Sequence, residues 1–199
     1  EHLLSGAIEL HLFDGGYAGI VLQEGGSANI CLAVRKSMLQ RAGGQVPALL
    51  AMLAEAHPAF APRLGDGWRA ARIGSIGAVP YGYVASTGAP GLFRLGDQAA
   101  VIPSLAGEGI GIALASAAMA ARHFLDGGPG AAPAFQRAFA RAARRPGRLA
   151  AAARALAEQP FGAGLALGAA QLLPGLVARV SEGTRIVAGG ALAPRGGPA

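Results

Sequence analysis

One stretch of this chain decides how the rest is interpreted: Gly91-Leu92-Phe93-Arg94-Leu95-Gly96-Asp97-Gln98-Ala99-Ala100, followed after two residues by Pro103-Ser104-Leu105-Ala106-Gly107-Glu108-Gly109-Ile110-Gly111. The apolar run 92–95 predicts a strand that ends at a Gly-Asp pair. The proline and glycines that follow predict a loop, and the small apolar residues from 109 onward predict a helix. This order of strand, loop and helix start suits a phosphorylated or flavin-type cofactor.

The residues before this stretch predict an antiparallel sheet. Three apolar runs at residues 7–13, 17–23 and 28–34 are separated by glycine-rich turns, so they predict a meander. In the first run, the alternation places Ile8, Leu10 and Leu12 on one face and Glu9, His11 and Phe13 on the other.

The remaining segments predict mostly helices. Residues 37–56 predict one or two helices interrupted by Gly43-Gly44, and residues 69–84 return to strand character. The nearly uncharged helix from 109 to 124 is expected to be buried and packed closely on a sheet. An alanine- and arginine-rich helix covers about 134–158, an apolar segment covers 161–180, and a flexible Gly/Pro/Ala tail follows.

These segments predict an α+β chain with an antiparallel substrate-domain sheet, a returning strand and helix, and C-terminal helices. The predicted parts are residues 1–72, which form part of the sheet with a helix, residues 73–125, which hold the returning segment, and residues 126–199, which hold the C-terminal helices and tail.

Composition excludes several classes of protein. The chain has 199 residues, of which 52% are hydrophobic and 14% charged, so disorder is not expected. A single Cys31 excludes an internal disulfide and favours a reducing compartment, the cytoplasm, while four scattered histidines give no metal site.

The net charge of +6 comes largely from a group of arginines in one helical stretch. These are Arg137, Arg141, Arg144, Arg145, Arg148 and Arg154. They favour peripheral contact with an anionic membrane surface, or a solvated helix, over nucleic acid, because Phe139 is the single aromatic residue among them that could stack a base. The apolar segment 161–180 is interrupted by Gln171 and Pro174, so we expect it to lie on the domain or on a membrane surface.

The stretch quoted first resembles the second FAD-contacting segment of the flavoprotein monooxygenase and geranylgeranyl reductase superfamily, whose pattern is roughly apolar-Gly-Asp-Ala-Ala, then Pro, then Gly-Glu-Gly-Ile. The resemblance implies an α/β FAD-binding fold, with Asp97 against a ribityl hydroxyl and the helix start against the N1 and C2 carbonyl edge of the flavin. The cofactor-binding residues that it implies are Gly96, Asp97, Pro103, Gly107, Glu108, Gly109 and Ile110.

The chemistry of these residue types leaves two interpretations open at each position. An ionised Asp97 accepts hydrogen bonds and therefore suits a sugar-like hydroxyl, but aspartate is also a common cap of turns and helices. The glycines let a planar ring approach the backbone, and the N-terminal amides of the helix favour negative charge. A tight turn followed by close helix packing would also explain Gly109 and Gly111.

The meander carries a second resemblance. Gly15-Gly16-Tyr17-Ala18-Gly19, with Gly25-Gly26 and Asn29, is similar to the substrate-domain strands of geranylgeranyl-reductase-like enzymes, where a Gly-Tyr-x-Trp pattern faces the flavin and lipid cavity. Here Gly19 replaces the tryptophan, which opens the cavity to a different substrate. Tyr17 and Gly19 are the candidate substrate-cavity residues, and the alternative for Tyr17 is a half-buried strand tyrosine.

Taken together, the chain is predicted to be the C-terminal part of an FAD-dependent oxidoreductase of monooxygenase or reductase type. It would act on a small or lipid-like substrate with NAD(P)H or another electron donor, and the flavin rather than a side chain would carry the chemistry. The dinucleotide-binding Gly-x-Gly-x-x-Gly unit is missing, because Ile112 stands where the third glycine belongs. We expect that unit upstream of Glu1, and we expect this part alone to bind FAD poorly and to be inactive.

A different class of function is the alternative. A non-catalytic membrane- or lipid-binding protein would use the basic and apolar C-terminal helices. This alternative does not explain the glycine- and aspartate-bearing stretch.

Overall fold

The computed structural model describes residue 4 and residues 6–65, 67–159 and 161–186. The chain forms two compact units, Glu1–Val79 with Ala155–Gly168 and Pro80–Arg154 with Ala169–Ala199. The divisions fall after Val79, Arg154 and Gly168, and the parts predicted from the sequence stay a prediction. The predicted C-terminal tail lies outside the described residues.

The first unit is built on the predicted meander. Strands β1 (Ile8–Phe13), β2 (Gly16–Leu22) and β3 (Ala28–Val34) form a three-stranded antiparallel sheet in that order. Gly19 pairs with Leu10 on one side and with Cys31 on the other. The protein is therefore a mixed helix and sheet chain, as the α+β prediction requires.

Helices cover one face of this sheet. They are α1 (Lys36–Arg41), α2 (Val46–Ala56) and α3 (Ala61–Leu64), so the segment 37–56 is two helices. Gly43 and Gly44 separate them with φ angles of 65° and 76°, which are in the left-handed region that glycine tolerates best. The core of the unit contains Phe13, Ala18, Ile20, Leu49, Leu50, Leu53 and Phe60.

In β1, hydrophobicity does not decide which face packs against the helices. The alternation is as predicted, but the more apolar face points outward, with Ile8 77% and Leu10 48% exposed. Glu9 lies on the packed face, where Arg63 of α3 donates two hydrogen bonds to its carboxylate, at 2.8 and 2.9 Å. The hydrogen bond from Arg63 lowers the pKa of Glu9, and His11, 3.1 Å from the same carboxylate, acts in the same direction.

The strands predicted at residues 69–84, which span the end of the first unit and the start of the second, and at residues 92–95 are wrong. Residues 92–95 form no strand, and of residues 69–84 only Val84 makes an isolated antiparallel bridge, with Ala100. A strand needs a neighbouring segment that pairs with its backbone groups, and among the described residues of this region only the Val84–Ala100 bridge forms such a pairing. The amide of Leu92 instead donates to the carbonyl of Ala89, as in a turn, and the amide of Gly91 donates to the carbonyl of Pro129, which is distant in sequence.

Two long helices replace a sheet as the framework of the second unit. They are α4 (Gly109–Gly127) and α5 (Ala132–Ala157), and a common core joins them. Its larger members are Ile102, Ile112, Phe135 and Phe139, packed among small alanines. The expectation that α4 packs on a sheet is therefore wrong within the described unit. The fully buried Gln136 of α5 helps to hold the irregular segment, because its amide donates to the carbonyl of Ala85 at 3.0 Å.

The apolar segment 161–180 forms two helices. They are α6 (Gly162–Leu172) and α7 (Pro174–Thr184), and they are interrupted at Leu173 because a proline follows it. None of the helices in the described ranges is both long and apolar enough to cross a bilayer.

Candidate functional site

The predicted cofactor loop lies within the second unit and runs from Gly96 to the start of α4. It contains two short 3-10 helices, Gly96–Gln98 and Ser104–Ala106. Gly96 and Gly107 have φ angles of 52° and 69°, a left-handed conformation that side chains with a Cβ rarely adopt. These two glycines are therefore explained by the path of the backbone.

A buried serine ties the two ends of this loop together. The amide of Gly96 donates to Ser116 Oγ at 2.9 Å, and that hydroxyl donates to the carbonyl of Ala113 at 2.9 Å. Ser116 is fully buried, and a Cβ placed on Gly96 would lie 3.6 Å from the Cβ of Ala113. The Gly-Asp pair consequently sits beside the first two turns of α4.

Asp97 is exposed on this loop. It is the second residue of its 3-10 helix, which follows Leu95 and has no side-chain cap. Within the described ranges its carboxylate has no hydrogen-bonding or ion-pairing partner. The helix-capping interpretation therefore has no support in the structure, and the carboxylate is free to accept a hydrogen bond from outside the chain.

Gly109 has no structural reason to be glycine. It is the first residue of α4, its φ is not positive, and a Cβ built there would meet no atom within 4 Å. An alanine would be accommodated and would favour the helix. A Cβ on Gly111 would lie 2.6 Å from an oxygen of Glu108, so that side chain would have to shift to admit it.

The side chain of Glu108 folds back along α4 instead of projecting from the loop. It is 13% exposed, and its Oε1 lies 3.5 Å from Nε of Arg185. A carboxylate at a helix N-terminus offsets part of the positive end of the helix dipole. Any contact of Glu108 with a cofactor would accordingly use its backbone.

The middle of the loop is anchored by contacts that the sequence did not indicate. The side chain of Pro103 is fully buried, so it shapes the loop from beneath. Next to it, the hydroxyls of Ser104 and Tyr81 lie 3.2 Å apart, and the guanidinium of Arg154 stacks 4.5 Å from the centre of the Tyr81 ring. The loop is thus held at its middle as well as at its ends.

An exposed apolar stripe runs along α4 from the loop. Ile110 is 78% exposed and Leu114 67%, and the stripe continues one helical turn at a time to Phe124 and Leu125. The opposite face, with Ile112 and Ala115, is buried in the core. The prediction of a buried helix is therefore correct for only one face of α4.

The substrate-cavity candidates lie in the first unit. Tyr17 and Gly19 share the outward face of the sheet with Leu10, because directly paired residues point to the same side. Tyr17 is only 4% exposed, whereas a Cβ on Gly19 would meet no atom within 4 Å. A cleft of about 160 Å³ in this unit is lined by other residues, Leu4, Leu22, Gly26, Ala28, Pro62, Arg63 and Gly65.

Sequence reasoning missed Ser116 and Tyr81. The available signal for Ser116 was a lone hydroxyl on the buried face of an otherwise apolar helix, since a buried polar group requires a partner. Tyr81 carried no comparable signal. Over the described ranges, no three His, Cys, Asp or Glu side chains come together as metal ligands.

Comparison of the chain with protein-family models, with curated proteins and with solved structures gives no match.

Proposed function

We propose that this chain is the C-terminal part of an FAD-dependent oxidoreductase and that the loop from Gly96 to Ile110 receives the ribityl chain and the flavin ring. The observation that carries the proposal is the pairing of an exposed, unpartnered Asp97 with a Gly109 that the fold does not explain. Both belong to one loop, whose ends Ser116 ties together.

The residues present fit the cofactor in two respects. A carboxylate with no partner in the protein can accept a hydrogen bond from a ribityl hydroxyl, a charge-assisted bond of roughly 1.5–3 kcal/mol. The open space at Gly109 permits a flat ring to contact the backbone without a Cβ in between. The Glu108 carboxylate offsets part of the positive charge at the N-terminus of α4. Shape and hydrogen bonding would therefore provide most of the affinity for FAD.

When bound, the flavin would supply hydride transfer, and the protein would position it. In this proposal Asp97 holds the ribityl chain, the backbone at 107–109 lies against the ring, and Ser116 keeps the two in a fixed relation. No side chain of the loop is required to act as acid or base.

The exposed stripe on α4 supports the same proposal. A helix that is apolar on all sides is normally covered on all sides, because exposed apolar surface is unfavourable in water. The surface that would cover it is the pyrophosphate-binding part that the resemblance implies. In that arrangement α4 would lie between the two parts of the protein.

The proposed reaction has two forms, that of a monooxygenase and that of a reductase. A monooxygenase would consume NAD(P)H and oxygen together, whereas a reductase would consume a reductant and saturate a carbon-carbon double bond without oxygen. We propose a small or lipid-like substrate, on the basis of the resemblance in the meander. Measuring NAD(P)H consumption with and without oxygen, in the full-length gene product, separates the two forms.

The test of flavin binding uses an isosteric change at the carboxylate. The full-length gene product should show flavin absorption near ~370 and ~450 nm. Asp97→Asn should lower its FAD affinity by roughly tenfold or more, because one charge-assisted bond weakens. Asp126→Asn, at an exposed aspartate near the other end of α4, is the matched control and should leave affinity unchanged. A colourless protein that cannot be reconstituted with FAD would contradict the proposal.

A further inference from the structure

A second concave surface lies between α5 and α7 in the second unit. An open cleft of about 370 Å³ is lined by Arg145, Pro146, Arg179, Glu182, Gly183 and Arg185. This volume is within the range of about 300–1000 Å³ that small-molecule sites occupy. The lining contains three guanidinium groups and one carboxylate.

The fold forms this cleft from two segments of the chain, one on α5 and one at the end of α7. Arg145 lies on α5, beside a Pro146 that interrupts the hydrogen bonding of the helix interior. Arg179 lies on α7, and Arg185 follows the end of that helix. Gly183 lies against α5, where a Cβ would come within 2.6 Å of the end of the Leu149 side chain.

The charges around the cleft are unbalanced. Arg145 and Arg179 are exposed, and neither has an ion-pair partner in the part of the chain that the structure describes. Arg185 is 61% exposed, with its Nε 3.5 Å from the carboxylate of Glu108. Bringing like charges together costs free energy unless an anion binds among them, and Glu182 alone does not compensate two unpaired guanidiniums.

Arginine is the side chain best suited to phosphate. Its planar fork donates two parallel hydrogen bonds to phosphate oxygens, and it remains charged at every physiological pH. Phosphate presents three acceptor oxygens, so forks that converge from two segments can bind it together. No aromatic side chain lines the cleft, so base stacking, which nucleic acid binding would use, has no platform there.

We infer that this cleft binds a phosphate group through Arg145 and Arg179. The group can belong to a soluble phosphate ester or to a phospholipid headgroup. Leu172 and Leu173, 82% and 60% exposed before α7, offer an apolar surface that a lipid would use and a soluble ester would not. The inference is independent of the proposed flavin site, since it uses none of that loop's predicted ligands for binding.

The experiment compares two double variants with equal loss of charge. Arg145→Gln with Arg179→Gln removes both unpaired guanidiniums of the cleft. Arg137→Gln with Arg141→Gln removes two exposed arginines of α5 that do not line it. The probes are inorganic pyrophosphate, followed by calorimetry on flavin-free protein, and phosphatidylcholine vesicles with or without phosphatidic acid, followed by cosedimentation.

The cleft variant should bind at least one probe about tenfold or more weakly than the unmodified protein, and the control pair should change the affinity much less. Pyrophosphate binding that only the cleft variant loses assigns a soluble ester. Loss confined to phosphatidic acid vesicles assigns a headgroup. Equal losses in both variants, or no binding of either probe, would overturn the inference. Replacing both cleft arginines by lysine gives a second check, because it keeps the charge and removes the fork geometry.

Discussion

Replacing Gly109 by alanine tests whether this position is glycine because the fold requires it or because a ligand does. In the structure, a Cβ at this position meets no atom within 4 Å, and the backbone is not left-handed. The protein itself therefore pays no steric penalty for the change. Alanine also restricts the unfolded chain and favours helix, so Gly109→Ala should raise the free energy of unfolding by about 0.4–1 kcal/mol.

The expected effect on flavin binding has the opposite sign. If the ring contacts the backbone at Gly109, the new methyl group occupies the space of the ring and either the ring or the loop must move. Overpacking by one methyl group typically costs about 1–3 kcal/mol. That cost corresponds to roughly a five- to 150-fold loss of affinity for FAD.

The assay measures both quantities on the same variant of the full-length gene product. Denaturant unfolding gives the stability, and FAD titration of the flavin-free protein gives the affinity. Gly175→Ala is the matched control, because Gly175 also lies in the first turn of a helix with open space around it. Unchanged FAD affinity in Gly109→Ala, with stability raised as in the control, would refute the assignment of Gly109 to the flavin.

Two further predictions concern the contacts that hold each unit. Ser116→Ala should lower the free energy of unfolding by about 1–3 kcal/mol in denaturant experiments, because the amide of Gly96 loses its acceptor. The same change should also reduce FAD retention. An unchanged stability would show that water replaces the hydroxyl. The pKa of Glu9 is lowered in the folded state, so its contribution to stability is present at neutral pH and is lost as the pH falls below about 4.3. Melting temperatures measured at decreasing pH should fall more steeply for the unmodified protein than for Glu9→Gln, and parallel curves would argue against this role.

The sheet of the first unit and its helices α1 and α2 were predictable because their signals are local. The turns Asp14-Gly15-Gly16 and Glu24-Gly25-Gly26 set the lengths of the strands, and Gly43-Gly44 divides the helices. Which face of β1 packs inward was not predictable from hydrophobicity. Glu9 on the packed side has a partner in Arg63, which lies 54 residues away.

The second unit shows where local reasoning fails. Residues 92–95 have the composition of a strand, but a strand forms only beside another chain segment with free backbone groups. For the candidate site, the order of loop and helix was predictable from its glycines and proline. The inward turn of Glu108 was not predictable, because its partner Arg185 is distant in sequence, and the burial of Pro103 was not predicted either.

The bond between Gly96 and Ser116 also bears on when the candidate site becomes ordered. It closes a loop of modest length, and contacts between residues close in sequence form early in folding because closing a short loop loses little chain entropy. The loop would thus take its shape as α4 forms, before any ligand arrives. Its conformational freedom would be lost during folding rather than at binding, so a ligand would meet a preorganised surface and would bind without ordering it first.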